Sequence, residues 1–140
     1  TTLEEFAYQI PLTKGAELFS YFVQGEELRF DLASSNLAPY VHNMCIRLNA
    51  NEYIASMPLL EDDDETLTGA LEEAIIGAKE KRQFAEKDPH ARVSSEATLT
   101  IGDGANDIEM LSATGHALLY CSLVSQPLDI AHISTDIYFQ

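Results

Sequence analysis

Ile101-Gly102-Asp103-Gly104-Ala105-Asn106-Asp107 is the stretch that decides how the rest of the chain reads. An apolar run, Ala97 to Ile101, precedes it and has the length of a buried strand. A helical pattern, Ile108 to Ala113, follows it, with Gly115 placed to stop the helix. A glycine-rich acidic turn therefore joins a strand to a helix. In an open α/β sheet, that is where functional groups are delivered to a crevice. Gly102 and Gly104 permit tight backbone geometry and close approach. Asp103 and Asp107 carry hard oxygen donors of the kind magnesium takes. Asn106 can donate and accept hydrogen bonds, and it can cap the helix.

The chain has 140 residues, 46% of them hydrophobic, which fits a folded domain with a real core. Its formal charge of −15, with only 8 Lys and Arg residues, excludes a phosphate backbone or an anionic membrane surface as partner. No signal peptide and no bilayer-length apolar stretch stands in the sequence, so the expected location is cytoplasmic. Cys45 and Cys121 lie far apart in apolar patterns and read as reduced core thiols.

Working outward, Thr2 and Glu5 form a capping-box pattern opening a helix over Leu3 to Gln9, which Pro11 ends. Thr13-Lys14-Gly15 leads into a second helix, Ala16 to Gln24, with Leu18, Tyr21 and Phe22 on one face and Gly25 as its stop. Leu28 to Ala33 alternates as a strand, with Leu28, Phe30 and Leu32 pointing one way. Ser34-Ser35-Asn36 then forms a polar turn into a helix near Ala38. Pro39 sits in its first turn, and Val41, Met44, Cys45 and Leu48 form its apolar face. Hydroxyls and free N–H groups at such a helix start suit an anion; equally, Ser35 or Asn36 serves as an ordinary cap. Tyr53 to Leu60 is apolar but broken by Pro58, and Glu61 to Glu65 is a charge run that reads as a solvated loop. Leu71 to Lys87 reads as helix interrupted at Gly77, although Leu71 to Ile76 also suits a strand. Lysines such as Lys79, Lys81 and Lys87 on that stretch are ordinarily solvated. His116 to Cys121 reads as another buried strand, and Ile137-Tyr138-Phe139 as a last short one.

Gly102 to Leu111, read as a whole, resembles the fourth motif of the haloacid dehalogenase-like phosphatases, in the form carried by bacterial phosphoserine phosphatases. The similarity continues along the chain. Ile10 to Ala16 resembles the family's segment between cap and second motif, and Ser34 falls at the second-motif serine. Leu67-Thr68-Gly69 resembles the hairpin before the third motif, and counting on from Gly69 puts Lys81 at the third-motif lysine. His132 to Gln140 looks like the family's C-terminus. Two departures stand out. Ser35 and Asn36 occupy positions where the family usually has glycines, and the first motif, with its nucleophilic and acid–base aspartates, is not at the N-terminus.

The resemblance implies an α/β fold: a Rossmann-like parallel sheet with flanking helices, incomplete for want of its central first-motif strand. Residues 1–140 would form a single core domain of that kind. It implies phosphomonoester hydrolysis through an aspartyl-phosphate, with L-phosphoserine to serine, in serine biosynthesis, as the favoured case. Asp103 would bind Mg²⁺, Asp107 would support that shell, and Lys81 would set a charge against the phosphoryl oxygens. Ser34, Ser35 and Asn106 would contact phosphate or substrate, a small phosphorylated metabolite. Without the first motif the isolated chain is expected to be inactive. A permuted arrangement using Asp62-Asp63-Asp64-Glu65-Thr66, which matches the aspartate-any-aspartate-any-threonine pattern, is one alternative. A degenerate, non-enzymatic module binding Mg²⁺, a phosphoanion or a protein partner is a second. An unrelated α/β domain, in which Asp103 merely caps a turn, is a third.

Overall fold

The structure, a computed structural model, describes residues 3–61, 66–86 and 94–120. The chain divides into two compact units, Thr1–Ile76 and Gly77–Gln140. It is a mixed α/β protein whose longer strand pairings are parallel. No helix among the described residues is long and apolar enough to cross a membrane. Thr2, Cys121 and the segment with Ile137-Tyr138-Phe139 lie outside the described residues, so the first capping box and the last strand do too.

In the first unit, helix α1 spans Leu3–Gln9, the bounds expected from sequence. Helix α2 spans Ala16–Gly25 and opens at Gly15, whose φ of 91° needs a residue without Cβ. Gly25 does not stop this helix. The chain leaves it at Glu27, which takes a left-handed φ of 54°, while the N–H of Leu28 bonds to the carbonyl of Val23 at 3.0 Å. The expected apolar face is also wrong. Leu18, Tyr21 and Phe22 are exposed, and Ser20 and Val23 are the buried residues. Ser20 can go inward because its hydroxyl donates to the carbonyl of Leu48, and Gln24 Nε2 donates to Ser20 Oγ at 2.8 Å.

Strand β1 spans Asp31–Leu37, helix α3 Ala38–Arg47 and strand β2 Glu52–Ser56, a β-α-β unit with parallel strands. The strand therefore starts later than the alternation of Leu28, Phe30 and Leu32 suggests. Leu28 is held in the cap of α2, and pairing begins where Asp31 lies opposite Glu52. Those like charges are bridged by Arg29, whose Nε and Nη2 reach Asp31 at 2.7 Å and Glu52 at 2.6 Å. Ser34-Ser35-Asn36 is not a turn after the strand. It lies inside β1, at the place where the ladder to β2 loses register between Ala33 and Leu37. Helix α3 has Pro39 in its first turn and buries Val41, Met44 and Cys45, as its pattern requires. Its N-cap is Leu37 with no side-chain cap, so neither Ser35 nor Asn36 caps it. Met57 separates β2 from β3, Pro58–Leu60, in which Pro58 is the first residue; β3 pairs antiparallel with β4, Leu67–Leu71. Leu67-Thr68-Gly69 is thus part of a paired strand, consistent with the hairpin it resembles.

In the second unit, helix α4 spans Ala78–Glu86, so the longer helix expected from Leu71 is cut to the part after Gly77. A 3₁₀ turn, Ser95–Ala97, precedes strand β5, Leu99–Gly102, which starts two residues later than expected. Helix α5, Ile108–Ser112, and strand β6, His116–Leu119, complete a second parallel pair. Thr100 and Thr114 are buried and satisfy each other through their hydroxyls at 2.8 Å. Gly115 does not end α5 by a left-handed cap, since its φ is not positive. It is needed for close approach instead: a Cβ there would lie 2.0 Å from the carbonyl oxygen of Glu96.

Candidate functional site

The acidic turn begins where β5 ends. Asp103 is exposed at the strand's C-terminal end, and a 3₁₀ turn, Ala105–Asp107, carries the chain into α5. That turn swings Asp107 back beneath the strand end, where it is only 5% exposed. Gly102 makes the return possible. A Cβ at Gly102 would sit 2.5 Å from Asp107 Cβ and 2.9 Å from its Cγ, so any side chain would evict the aspartate.

Asp107 is fully engaged once there. Its Oδ2 accepts the backbone N–H groups of Asp103 and Gly104, both at 3.1 Å. Its Oδ1 accepts Lys81 Nζ at 2.7 Å. The two side chains are 6% and 8% exposed, so this is a buried ion pair in which both carboxylate oxygens accept hydrogen bonds. Lys81 departs from the expectation that lysines on this stretch are solvated, because Asp107 compensates its burial. Its neighbour Lys79 is exposed. The structure therefore brings Lys81, Asp103 and Asp107 to one end of β5, with exposed Asn106 on the connecting turn. Asn106 does not cap α5, whose N-cap is Asp107 without a side-chain cap bond.

Ser34 and Ser35 belong to the first unit. Ser34 Oγ accepts the N–H of Asn36 at 3.1 Å, and the carbonyl of Ser35 accepts the hydroxyl of Ser56 at 3.1 Å. Asp62, Asp63, Asp64 and Glu65 lie outside the described residues.

The Mg²⁺ expectation can be weighed against the donors present. Among the described residues, no three His, Cys, Asp or Glu side chains gather to hold a metal. Both oxygens of Asp107 are committed to Lys81 and to backbone N–H groups. Asp103 is the exposed carboxylate of the motif, a hard donor suited to Mg²⁺ but a single ligand of the six that ion takes. The described residues fit a share of a Mg²⁺ site, not a self-sufficient one.

One participant was not singled out from sequence. The N–H of Gly77, just before α4, is accepted by Glu80 Oε2 at 3.0 Å. Glycine followed three residues later by glutamate is the reach-back half of a capping box, so the signal was there to find. The backbone N–H groups of Glu80 itself and of Gly77 hold the Glu80 carboxyl below its ordinary value.

Asp103, Asn106 and Asp107 fall within residues 86–119, which match the sequence model of the haloacid dehalogenase-like hydrolases. Over that stretch the chain is similar to the haloacid dehalogenase-like hydrolases. It is 25% identical over 113 residues to a probable phosphoserine phosphatase of Schizosaccharomyces pombe, covering 80% of this chain and 38% of that protein. It is 28% identical over 119 residues to the phosphoserine phosphatase of Idiomarina loihiensis, covering 84% of this chain and 53% of the relative. A solved structure of a phospho-aspartyl intermediate analogue of phosphoserine phosphatase superposes with a TM-score of 0.75 at 25% identity, over 85% of this chain and 56% of that one. The chain thus spans about half or less of the length of these curated relatives.

Proposed function

We propose that this haloacid dehalogenase-like chain carries the charge-neutralising half of a Mg²⁺-dependent phosphomonoester hydrolase acting on L-phosphoserine, releasing serine and phosphate as a step in serine biosynthesis. The observation that carries the reading is the buried Lys81–Asp107 pair set behind the exposed carboxylate of Asp103. Phosphoryl transfer asks the protein chiefly to position and to neutralise charge spread over three equatorial oxygens. An ammonium has three donors. One is spent on Asp107, which fixes the side chain and leaves the others for phosphoryl oxygens. Asn106 and the hydroxyls of Ser34 and Ser35 are the proposed further contacts to phosphate or substrate. Mg²⁺, when bound, would supply further charge neutralisation, with Asp103 as one of its ligands.

The nucleophile is proposed to come from protein outside residues 1–140. Its carboxylate oxygen would bond to phosphorus as the serine oxygen leaves with a proton, and water would then cleave the acyl phosphate. The longer relatives support this, since the match covers 38% of one and 53% of the other.

The test is phosphate release from L-phosphoserine with Mg²⁺. The 140-residue chain alone should give none above background. The complete protein should turn over, with Lys81→Ala and Asp103→Asn each lowering kcat by at least about a hundredfold, the usual scale for losing one charge-stabilising group. Activity of the isolated chain that Asp62→Asn abolishes would instead establish the permuted arrangement. A complete protein inert toward phosphomonoesters would favour the non-enzymatic module.

A further inference from the structure

The two lysines near the start of α4 are two residues apart, roughly 200° around a helix, so they point to opposite sides. Only Lys81 meets Asp107, while Lys79 is exposed. Which of them does so depends on where the helix begins. α4 has 9 residues, too few to hold a helical start by propensity alone. Its first N–H groups have no partners within the helix. Gly77 has no side chain with which to cap them.

Gly77 is nevertheless held at both ends. Its N–H is accepted by Glu80 Oε2 at 3.0 Å, and its carbonyl accepts the N–H of Lys81 at 3.1 Å. The contact is close enough that a Cβ on Gly77 would stand 3.4 Å from the same Glu80 oxygen. The first turn is thus closed on one side by a carboxylate, which the helix N-terminus favours, and on the other by the backbone of Lys81 itself.

We propose that Glu80 is a positioning residue for Lys81: by accepting the Gly77 N–H it fixes the start of α4 and so directs Lys81, not Lys79, to Asp107. The inference concerns the geometry of the pair. Its consequence for turnover rests on the function proposed above, and the two are read separately.

The experiment is NMR on the uniformly ¹⁵N-labelled 140-residue chain, comparing the wild type with Glu80→Ala and Glu80→Gln. In the wild type the Lys81 ammonium protons should exchange slowly with water, because Asp107 holds them in a buried site. Glu80→Ala should speed that exchange about fivefold or more, the equilibrium effect of losing a typical cap. Glu80→Gln keeps an acceptor oxygen and should restore the wild-type rate. The amides of Thr100 and Leu111, buried in the same unit, serve as the control and should stay protected throughout. Unchanged Lys81 exchange in Glu80→Ala, equal loss at Thr100 and Leu111, or failure of Glu80→Gln to rescue would each overturn the positioning role. A second arm measures phosphoserine turnover in the complete protein. Faster Lys81 exchange with unaltered kcat would leave the positioning role standing and count against Lys81 as a phosphoryl-binding group.

Discussion

Removing the carboxylate of Asp107 should be among the most damaging single changes in the second unit. Asp107→Ala strands the Lys81 ammonium in a site where its side chain is 6% exposed. Breaking a buried pair from one side costs about 3–5 kcal/mol, because the surviving charge is left uncompensated. The N–H groups of Asp103 and Gly104 also lose their acceptor, but they lie next to exposed Asp103 and water can replace it. The charge term therefore dominates. Set against a typical domain stability of about 5–15 kcal/mol, this would leave the unit close to unfolding. Lys81→Met removes the other partner more gently, since Asp107 keeps two backbone N–H donors, and should cost about 1–3 kcal/mol. The double variant Lys81→Met/Asp107→Ala leaves no buried charge and should be more stable than Asp107→Ala alone. Urea titration followed through the NMR signals of Thr100 and Leu111 confines the readout to this unit, so unfolding of the other does not blur it. A loss below about 1 kcal/mol for Asp107→Ala, or single-variant effects that add to within about 0.5 kcal/mol in the double variant, would refute the reasoning.

Gly102→Ala should act on the same pair from the strand side. Its new methyl group overlaps Asp107 Cβ at 2.5 Å, so a loss of about 1–3 kcal/mol is expected, with Lys81 ammonium exchange accelerated in the folded protein. Glu27→Gly should raise stability by about 1 kcal/mol in urea titration of the first unit, because a left-handed φ of 54° burdens a residue with a Cβ. The Glu80 carboxyl is held below its ordinary value by backbone N–H bonds, so its contribution is present above the unfolded-state pKa and lost as pH falls through the lower, folded-state value. Backbone shifts at Gly77 and Ala78 should follow that loss on acidification, and Glu80→Gln should abolish the titration at these positions.

Helices were easier to read from this chain than strands, for a physical reason. Helices α1 and α3 carry their own signals, in the pattern of Val41, Met44 and Cys45 and in Pro39 at the first turn. A strand is fixed by its neighbour. Leu28, Phe30 and Leu32 alternate well, yet β1 begins at Asp31 because pairing with Glu52 and the Arg29 bridge start there. The face of α2 misled for a related reason. Hydrophobicity favours Leu18, Tyr21 and Phe22 as the inward side, but the carbonyl of Leu48 at the end of α3 draws Ser20 in. A hydrogen bond spanning 28 residues leaves no periodic trace in sequence.

The site was legible to a different depth at each residue. Gly102 and Asp103 announce a strand-end turn by themselves, but composition gives no reason to prefer Lys81 over Lys79, and the ordinary exposure of lysine argues against burying either. The choice is made by Asp107, across 26 residues of sequence. The same contact separates two aspartates that look alike on paper. Asp107 is drawn under the strand because Gly102 leaves room, and its oxygens are then consumed by Lys81 and two backbone N–H groups. Asp103, four residues earlier on the same turn, stays exposed. A cation approaching this turn therefore meets one available carboxylate, not two. That is why Asp103→Asn and Asp107→Asn should differ in kind: the first should weaken Mg²⁺ binding in the complete protein and spare the buried pair, and the second should loosen Lys81 first.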